Sequence, residues 1–444
     1  MRDYPHILLI NPWVDDFAAY DHWARPLGLL YIAAALQENG FKVSYIDCLD
    51  RFHPRMPPSN PSARGGRGPY LKQTLKPPAG LAHIPRRYSR YGIRREWLES
   101  DLQQMEKPDL ILVTSMMTYW YPGVKATIRL LRNTFPDVPI WLGGIYATLC
   151  QDHANSLDAD QVLAGVALEE IVESVSQAIG WIVSNRIDSN DPDSLPFPAL
   201  ALQNTISFVP LLTAIGCPFR CRYCAAERLN PAFRRRSTQS VLSEVETWYR
   251  QFGVRDFALY DDAFLVRPET HAIPILEGII RLNLPLRFHT PNALHIRDIN
   301  VETAKLLFQA GFKTMRLGLE TTDFDERTAL DEKVTQKEFE TAVKNLKQAG
   351  FTADQVGAYL LVGLPGQSMQ SAINAVQTVR QAGITPIPAY YTPIPHTALW
   401  PEAVACSPYD LEADPIYTNN AIMPCWPQGF SWEWRAALKQ AAKG

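Results

Sequence analysis

The sequence predicts an α/β chain in two parts, an N-terminal doubly wound, Rossmann-like domain followed by a partial (β/α)6 TIM-like barrel. Three observations carry this. Short apolar runs alternate with helical patterns over residues 1–185, the rhythm of βαβ units around a parallel sheet. A polar, Pro-containing stretch, IDSNDPDSLPFPAL (187–200), then separates the halves. Beyond it, six strand candidates alternate with five amphipathic segments, which fits six β/α units. With 444 residues, 46% of them hydrophobic and 20% charged, the chain can bury a core in each part.

In the first part, HILLINP (6–12) reads as a buried strand. PLGLLYIAAALQENG (26–40) reads as a helix, with Leu27, Leu30, Tyr31 and Ala34 on one face and Gly40 suited to its C-terminal cap. KVSYID (42–47), DLILVTSMM (109–117), PIWLGGIYA (139–147) and QVLAGV (161–166) supply four further strands. Residues 51–95 break the rhythm with eight prolines and eleven Lys or Arg but no Asp or Glu, so they read as an insertion outside the core. Such a segment is either a solvated loop or a basic lid that concentrates an anionic cofactor tail or substrate.

The linker spans 186–204 and the barrel 205–400, with 401–444 as a C-terminal cap or tail. The barrel strands expected are LLTAIG (211–216), DFALYDD (256–262), LRFHTPN (286–292), TMRLGLE (314–320), GAYLLVGLP (357–365) and TPIPAYYTP (385–393). Helices are expected near 238–252, 269–282, 301–311, 335–350 and 368–382.

Composition excludes some partners. A net charge of −3 and a pI near 6.3 give no global signature for nucleic acid or an anionic membrane surface, and neither is expected as a partner. The N-terminus lacks a signal-peptide pattern, and no apolar run approaches the roughly 18 residues of a membrane span. Seven cysteines, three of them clustered, point to a reduced cytoplasmic protein with a metal site.

That cluster is Cys217, Cys221 and Cys224, a C-x3-C-x2-C triad in GCPFRCRYC directly after an apolar strand. A [4Fe-4S] cluster takes four thiolates, so a compact set of three leaves one iron open. An open iron can take the amino and carboxylate groups of S-adenosylmethionine (SAM), whose sulfonium then accepts one electron. Structural zinc is the alternative, but it needs four ligands and no second Cys pair is present.

This spacing, with Tyr223 just before the third cysteine, resembles the radical SAM superfamily over roughly residues 205–400. The resemblance implies that the three cysteines hold the cluster, that a 5′-deoxyadenosyl radical is generated, and that an external flavodoxin- or ferredoxin-type donor supplies electrons. It places Phe219 and Tyr223 near the cluster and adenine. Asp261 and Asp262 would meet the methionine amino group, or form a strand-end turn or helix cap. Asn292 would face ribose or substrate, or serve as a polar turn residue. Arg316 and Glu320, each two residues from Gly318, would share one face of their strand and hold the carboxylate and ribose. Gly363 and Gly366 of GLPGQ would let backbone approach the adenine.

The N-terminal domain resembles the cobalamin (B12)-binding class of that superfamily. The matching pieces are NPW…RPLGLLYIAAAL, TSMMTYW (114–120) with Ser115 and Thr118, and LGGIYATL (142–149) with Gly143 and Gly144. Two glycines after a strand admit a cofactor tail, or make an ordinary αβ turn. The sequence departs from the class in lacking D-x-H-x-x-G, in carrying Tyr146 where His is common, and in having GVALEE for the acidic loop. His53 and His153 read as surface residues. The Pro- and aromatic-rich tail would cap the barrel mouth, with Asn419, Asn420 and Cys425 toward substrate, Cys425 also reading as a buried packing residue.

The candidate catalytic residues are therefore Asp262, Asn292 and Cys425. The implied activity is methyl transfer or radical rearrangement on a small molecule or peptide that the sequence does not identify. Two alternatives stand beside it: a cobalamin-independent radical SAM enzyme, and a non-catalytic metal or nucleic-acid binding module.

Overall fold

The computed structural model describes residues 4–184, 186–324, 330–331, 334–426 and 431–443. It divides into two compact units, one of Met1–Ser207 with Ala413–Ile422 and one of Phe208–Glu412 with Met423–Gly444. Among the described residues no helix is long and apolar enough to cross a membrane.

The first unit is built on a parallel sheet of His6–Asn11, Lys42–Asp47, Leu110–Val113, Ile140–Gly143 and Gln161–Leu163. Their spatial order is second, first, third, fourth, fifth. The order reverses between the first and third strands, and in open α/β sheets ligands bind outside the carboxyl ends of the strands at such a point. Leu8, Ile10, Ile111 and Leu142 pack on one face and Ile7, Leu9, Leu110 and Leu112 on the other, so the central strands carry apolar residues on both faces. The helix Leu27–Glu38 falls inside the expected 26–40. Three expected strands ran too far. The third ends at Val113, the fifth at Leu163, and the fourth at Gly143, because Gly144 turns to φ +96 and starts the helix Ile145–Leu149.

The basic segment 51–95 keeps many residues exposed, as a solvated insertion would, but it is also tied into this unit. Lys72–Thr74 and Ser89–Tyr91 join Val14–Asp16 in an antiparallel sheet, and Leu81, Ile84, Tyr88, Tyr91 and Ile93 are buried. Four of its arginines are committed to carboxylates from outside the segment: Arg51 to Asp21 at 2.8 Å, Arg55 to Asp101 at 3.0 Å, Arg90 to Asp15 at 2.8 and 2.9 Å and Arg95 to Glu99 at 2.7 Å. The composition of the window concealed this because every acidic partner lies beyond its ends.

The second unit has six parallel strands in sequential order: Val209–Leu211, Asp256–Leu259, Arg287–His289, Phe312–Glu320, Val356–Val362 and Thr385–Tyr390. Helices Thr238–Phe252, Ala272–Leu282, Val301–Gln309, Gln336–Ala349 and Met369–Gln381 intervene, completing an open (β/α)6 barrel. Local chemistry sets their ends. Ser237 accepts from Ser240 N–H, Thr335 and Glu338 form a capping box, and Gly253 and Gly350 adopt left-handed caps. Phe257, Phe288 and Phe312 stack across strands two to four at 5.4 and 5.3 Å. The first strand ends at Leu211, earlier than expected, because Ala214–Ile215 instead pair antiparallel with Arg234–Arg235.

Candidate active site

The thiol loop follows that two-residue ladder. Gly216 sits at φ +81, where a Cβ would lie 2.6 Å from the Ala232 carbonyl oxygen, so the loop is turned tightly against the returning chain. Cys217 is half-buried, Cys221 buried and Cys224 exposed, and all seven cysteines of the chain are thiols. Cys224 N–H donates to the Cys221 carbonyl at 3.0 Å, and Ala226 N–H donates to Cys224 Sγ at 3.4 Å. Arg222 anchors the loop through its backbone to Leu330 and Leu399 at 3.2 and 2.9 Å and through its guanidinium to Glu402.

Among the described residues no three His, Cys, Asp or Glu side chains converge as ligands of a single metal ion. Tetrahedral zinc would require such convergence. A [4Fe-4S] cluster binds each thiolate to a different iron, so three spaced thiols on one anchored loop suit it.

Tyr223 lies beside Cys221 and Glu320, and burial followed by the Glu320 charge pushes its hydroxyl well above the ordinary range. It therefore stays protonated. Phe219 packs on His295 with ring centroids 4.5 Å apart, and His295 Nε2 lies 3.2 Å from the Asp262 carbonyl. Nothing in the sequence pattern singled out His295.

Asp261 is turned to the barrel's own backbone and not toward an open ligand position. Its carboxylate accepts Thr213 N–H at 3.0 and 3.2 Å and the Thr213 hydroxyl at 2.6 Å. Burial pushes it up to about 7, with the Thr213 bonds opposing. The neighbouring Asp262 side chain is exposed. Asn292 is exposed and donates to the Tyr260 carbonyl at 2.7 Å, the polar-turn role.

Arg316 donates its backbone N–H to Thr290 Oγ1 at 2.8 Å and a guanidinium N–H to the Met315 carbonyl at 2.9 Å. Alternation does not carry over from Arg316 to Glu320, because the register with Tyr359 and Leu360 shifts between Gly318 and Glu320. Glu320 is buried at φ +62, and Thr321 N–H closes a tight turn on the Leu319 carbonyl at 2.7 Å. Bulges of this kind re-aim a side chain near active sites.

In GLPGQ, Gly363 sits at φ +92 with a Cβ position 3.1 Å from Met423 and 3.2 Å from Trp426, so the chain's own packing already requires glycine there. Gly366, at φ +73, faces open space. The residue that shapes the loop is Gln367, which the motif left unassigned. Its Oε1 accepts Gly363 N–H at 2.7 Å and its Nε2 donates to the Leu361 carbonyl at 2.9 Å. Cys425 is 2% exposed, 3.9 Å from the Ala403 carbonyl, and burial plus the Cys406 thiol push its pKa far up. Its surroundings are those of a packing residue.

In the first unit, Ser115 and Gly144 serve one another. Ser115 Oγ donates to the Gly143 carbonyl at 2.6 Å and accepts Ala147 N–H at 3.2 Å, while a Cβ on Gly144 would lie 2.3 Å from the Ser115 carbonyl oxygen. Thr118 is buried against Thr418, Oγ1 to Oγ1 at 2.8 Å. Asn419, expected toward substrate, is buried with Nδ2 on Asp16 at 2.8 Å. His53 and His153 are not surface residues: His53 is buried, bonded to Asp101 at 2.9 Å and stacked on Trp97, and His153 is half-buried against Tyr146 and Tyr121. A Cβ at Gly143 would meet only Leu163, at 3.7 and 3.8 Å, and the neighbouring Met117 and Ile145 are 43% and 39% exposed, large apolar side chains at the carboxyl edge of the sheet. The strand pattern read both as ladder residues and so missed them.

A doubly wound sheet joined in one chain to an open (β/α)6 barrel with a C-x3-C-x2-C thiol loop after its first strand defines an iron–sulfur cofactor enzyme of two domains. Residues 211–379 match the Radical SAM superfamily, so this part of the chain is a radical SAM domain. An uncharacterized methyltransferase of Pyrococcus horikoshii is 21% identical over 75% of this chain and 79% of its own. The cytidylyl-2-hydroxyethylphosphonate methyltransferase of Streptomyces wedmorensis is 20% identical over 86% and 78%. Among solved structures, the radical SAM methyltransferase TsrM of Kitasatospora setae, with tryptophan substrate and a SAM analogue bound, superposes at TM-score 0.67 and 17% identity, covering 98% of this chain and 88% of that one. TsrM with cobalamin and a [4Fe-4S] cluster superposes at 0.64 and 18%, covering 91% and 75%.

Proposed function

We propose that this chain is a cobalamin-dependent radical SAM methyltransferase acting on a small molecule or peptide. The observation that carries the cobalamin part is the carboxyl edge of the first sheet, where the large apolar side chains of Met117 and Ile145 stay exposed beside Gly143. The names of the Pyrococcus and Streptomyces relatives, and the cofactors held by TsrM, support the same reading.

Cys217, Cys221 and Cys224 hold the cluster, with Phe219 and Tyr223 packing beside it. Arg316, Glu320 and the loop around Gly363 and Gly366 hold SAM. When bound, cluster and cobalamin supply an electron for the sulfonium and a carrier for the methyl group. Tyr223, kept protonated, offers a hydrogen-bond donor, and buried Glu320 offers an acceptor for ribose hydroxyls. Ser115, Thr118 and Gly144 shape the cobalamin edge through their bonds to the chain, while Gly143, Met117 and Ile145 meet the corrinoid. Asp261 acts through Thr213, exposed Asp262 faces substrate, and Asn292 holds the turn beside it through the Tyr260 carbonyl. A flavodoxin- or ferredoxin-type donor and a cytoplasmic location belong to this reading.

Anaerobic reconstitution with iron, sulfide and hydroxocobalamin, followed by gel filtration and spectroscopy, tests it. The protein should retain both groups. Cys221→Ala should lose the cluster and SAM cleavage but keep cobalamin, and Met117→Asp with Ile145→Asp should do the reverse. Failure of the native protein to retain cobalamin would overturn the cobalamin assignment, and SAM cleavage by Cys221→Ala would overturn the cluster assignment.

A further inference from the structure

A cavity of about 360 Å³ opens in the first unit along the second strand, Lys42–Asp47, which forms one edge of the sheet. The order reversal of that sheet lies elsewhere, between the first and third strands. The cavity walls come from that strand, from Asp50 and His53 just after it, from Met105 at the end of the helix Arg95–Gln104, and from Leu202–Asn204.

Two polar atoms on these walls are buried without a hydrogen-bond partner, the Tyr45 hydroxyl and Gln203 Nε2. Such groups are rare in folded proteins and call for a missing partner. The cations nearby are already spent. Arg25 pairs with Asp21 at 3.0 Å and donates to Gln203 Oε1 at 3.0 Å, and Arg55 and His53 share Asp101 at 3.0 and 2.9 Å.

Two carboxylates are not matched in this way. Asp47 accepts from Asn11 at 2.6 Å and Leu49 N–H at 2.8 Å, and Asp50 accepts from Asn204 and Phe52 N–H, each at 2.7 Å. Those donors are all neutral. Burial, with Asp50 adding to it and Arg25 opposing, raises Asp47 to about 6, as expected of a carboxylate short of positive charge. An anionic ligand is disfavoured here, and Ile46, Met105 and Leu202 supply apolar wall for a carbon skeleton.

We propose that this cavity binds a small organic cation of the amino-sugar or amino-alcohol class, its ammonium on Asp47 and Asp50 and its oxygens facing the Tyr45 hydroxyl and the Gln203 amide. The site is independent of the cofactors and of the methyl-transfer reading.

D-glucosamine and D-glucose, matched in size and differing by an ammonium for a hydroxyl, are the probes, titrated into the full chain by calorimetry. Glucosamine should bind at least about tenfold more tightly than glucose, the scale of one charge-assisted bond. Asp47→Asn, which keeps the oxygen that accepts from Asn11, should remove that preference. Tyr45→Phe should weaken glucosamine roughly fivefold without lowering Tm or SAM cleavage, because the lost hydroxyl has no partner in the protein. Equal binding of the two sugars, no binding at millimolar concentration, or displacement of glucosamine by hydroxocobalamin would each overturn the proposal. Should Asp47→Asn fail to fold, the sugar comparison and Tyr45→Phe decide it alone.

Discussion

The fourth strand of each parallel sheet ends on a residue with left-handed backbone, and the two residues are opposites. Gly144 follows Ile140–Gly143 at φ +96 and ψ −170, a region essentially closed to side chains. Glu320 closes Phe312–Glu320 at φ +62, where glycine would be the easier choice. At the first position the backbone requires the residue, because Ser115 passes 2.3 Å from where a Cβ would stand. At the second, the side chain is kept in spite of the backbone, beside Tyr223 in the barrel. Strain held by a residue that glycine could relieve marks the side chain as the thing being preserved.

Replacing the first residue should produce the largest loss of stability. Gly144→Ala combines a forbidden φ/ψ region with a collision against main chain that cannot rotate away. It should cost on the order of 3 kcal/mol, read as a lowered denaturation midpoint. A cost below about 1 kcal/mol would mean that the Ser115 loop yields, and the contrast with Glu320 would fail.

How far this contrast was legible in the sequence differs between the two edges. The thiol triad and the strand–helix rhythm could be read because spacing and periodicity are local, and the helix Thr238–Phe252 lies where its pattern put it. Gly144 was visible as a glycine, but its reason was not: the atom it makes room for is 29 residues earlier, on Ser115. The bulge before Glu320 has no sequence mark, so period-two alternation was extended through a shift in register. The Asp261–Thr213 tie, Gln367 across GLPGQ and the seating of Thr418 on Thr118 are likewise choices of partner that the fold makes. Residue type predicted that these groups need partners but not which ones.

Asp261 sharpens the comparison from inside the barrel, because it is a strand-end carboxylate already satisfied by the fold. Its folded-state pKa of about 7 lies above the unfolded value near 3.9. Between those values the folded state binds more protons than the unfolded one, so stability falls as pH rises through about 4 to 7 and then levels off. Asp261→Asn should remove that slope, a difference of roughly 2 to 4 kcal/mol across the window, in pH-dependent denaturation of variant against parent. Parallel curves would show that Asp261 is charged at no cost in the folded chain.

Glu320→Gly addresses the other half. Relief of the left-handed strain should leave the protein as stable as before, or more stable by about 1 kcal/mol, while KM for SAM rises about tenfold or more. Glu320→Gln should retain part of the SAM affinity, since one acceptor oxygen survives. A variant that lost stability and kept its KM would make Glu320 a structural residue and reverse the assignment.

The smallest effect isolates the cost of a positive φ. Gly366 has φ +73, close to that of Glu320, but nothing lies within 4 Å of its Cβ position. Gly366→Ala therefore carries only the conformational cost, about 1 kcal/mol. The excess of the Gly144→Ala loss over it holds the closed backbone region and the contact with Ser115 together. If both substitutions cost the same, neither the ψ of −170 nor the close approach of Ser115 adds to the cost of a positive φ.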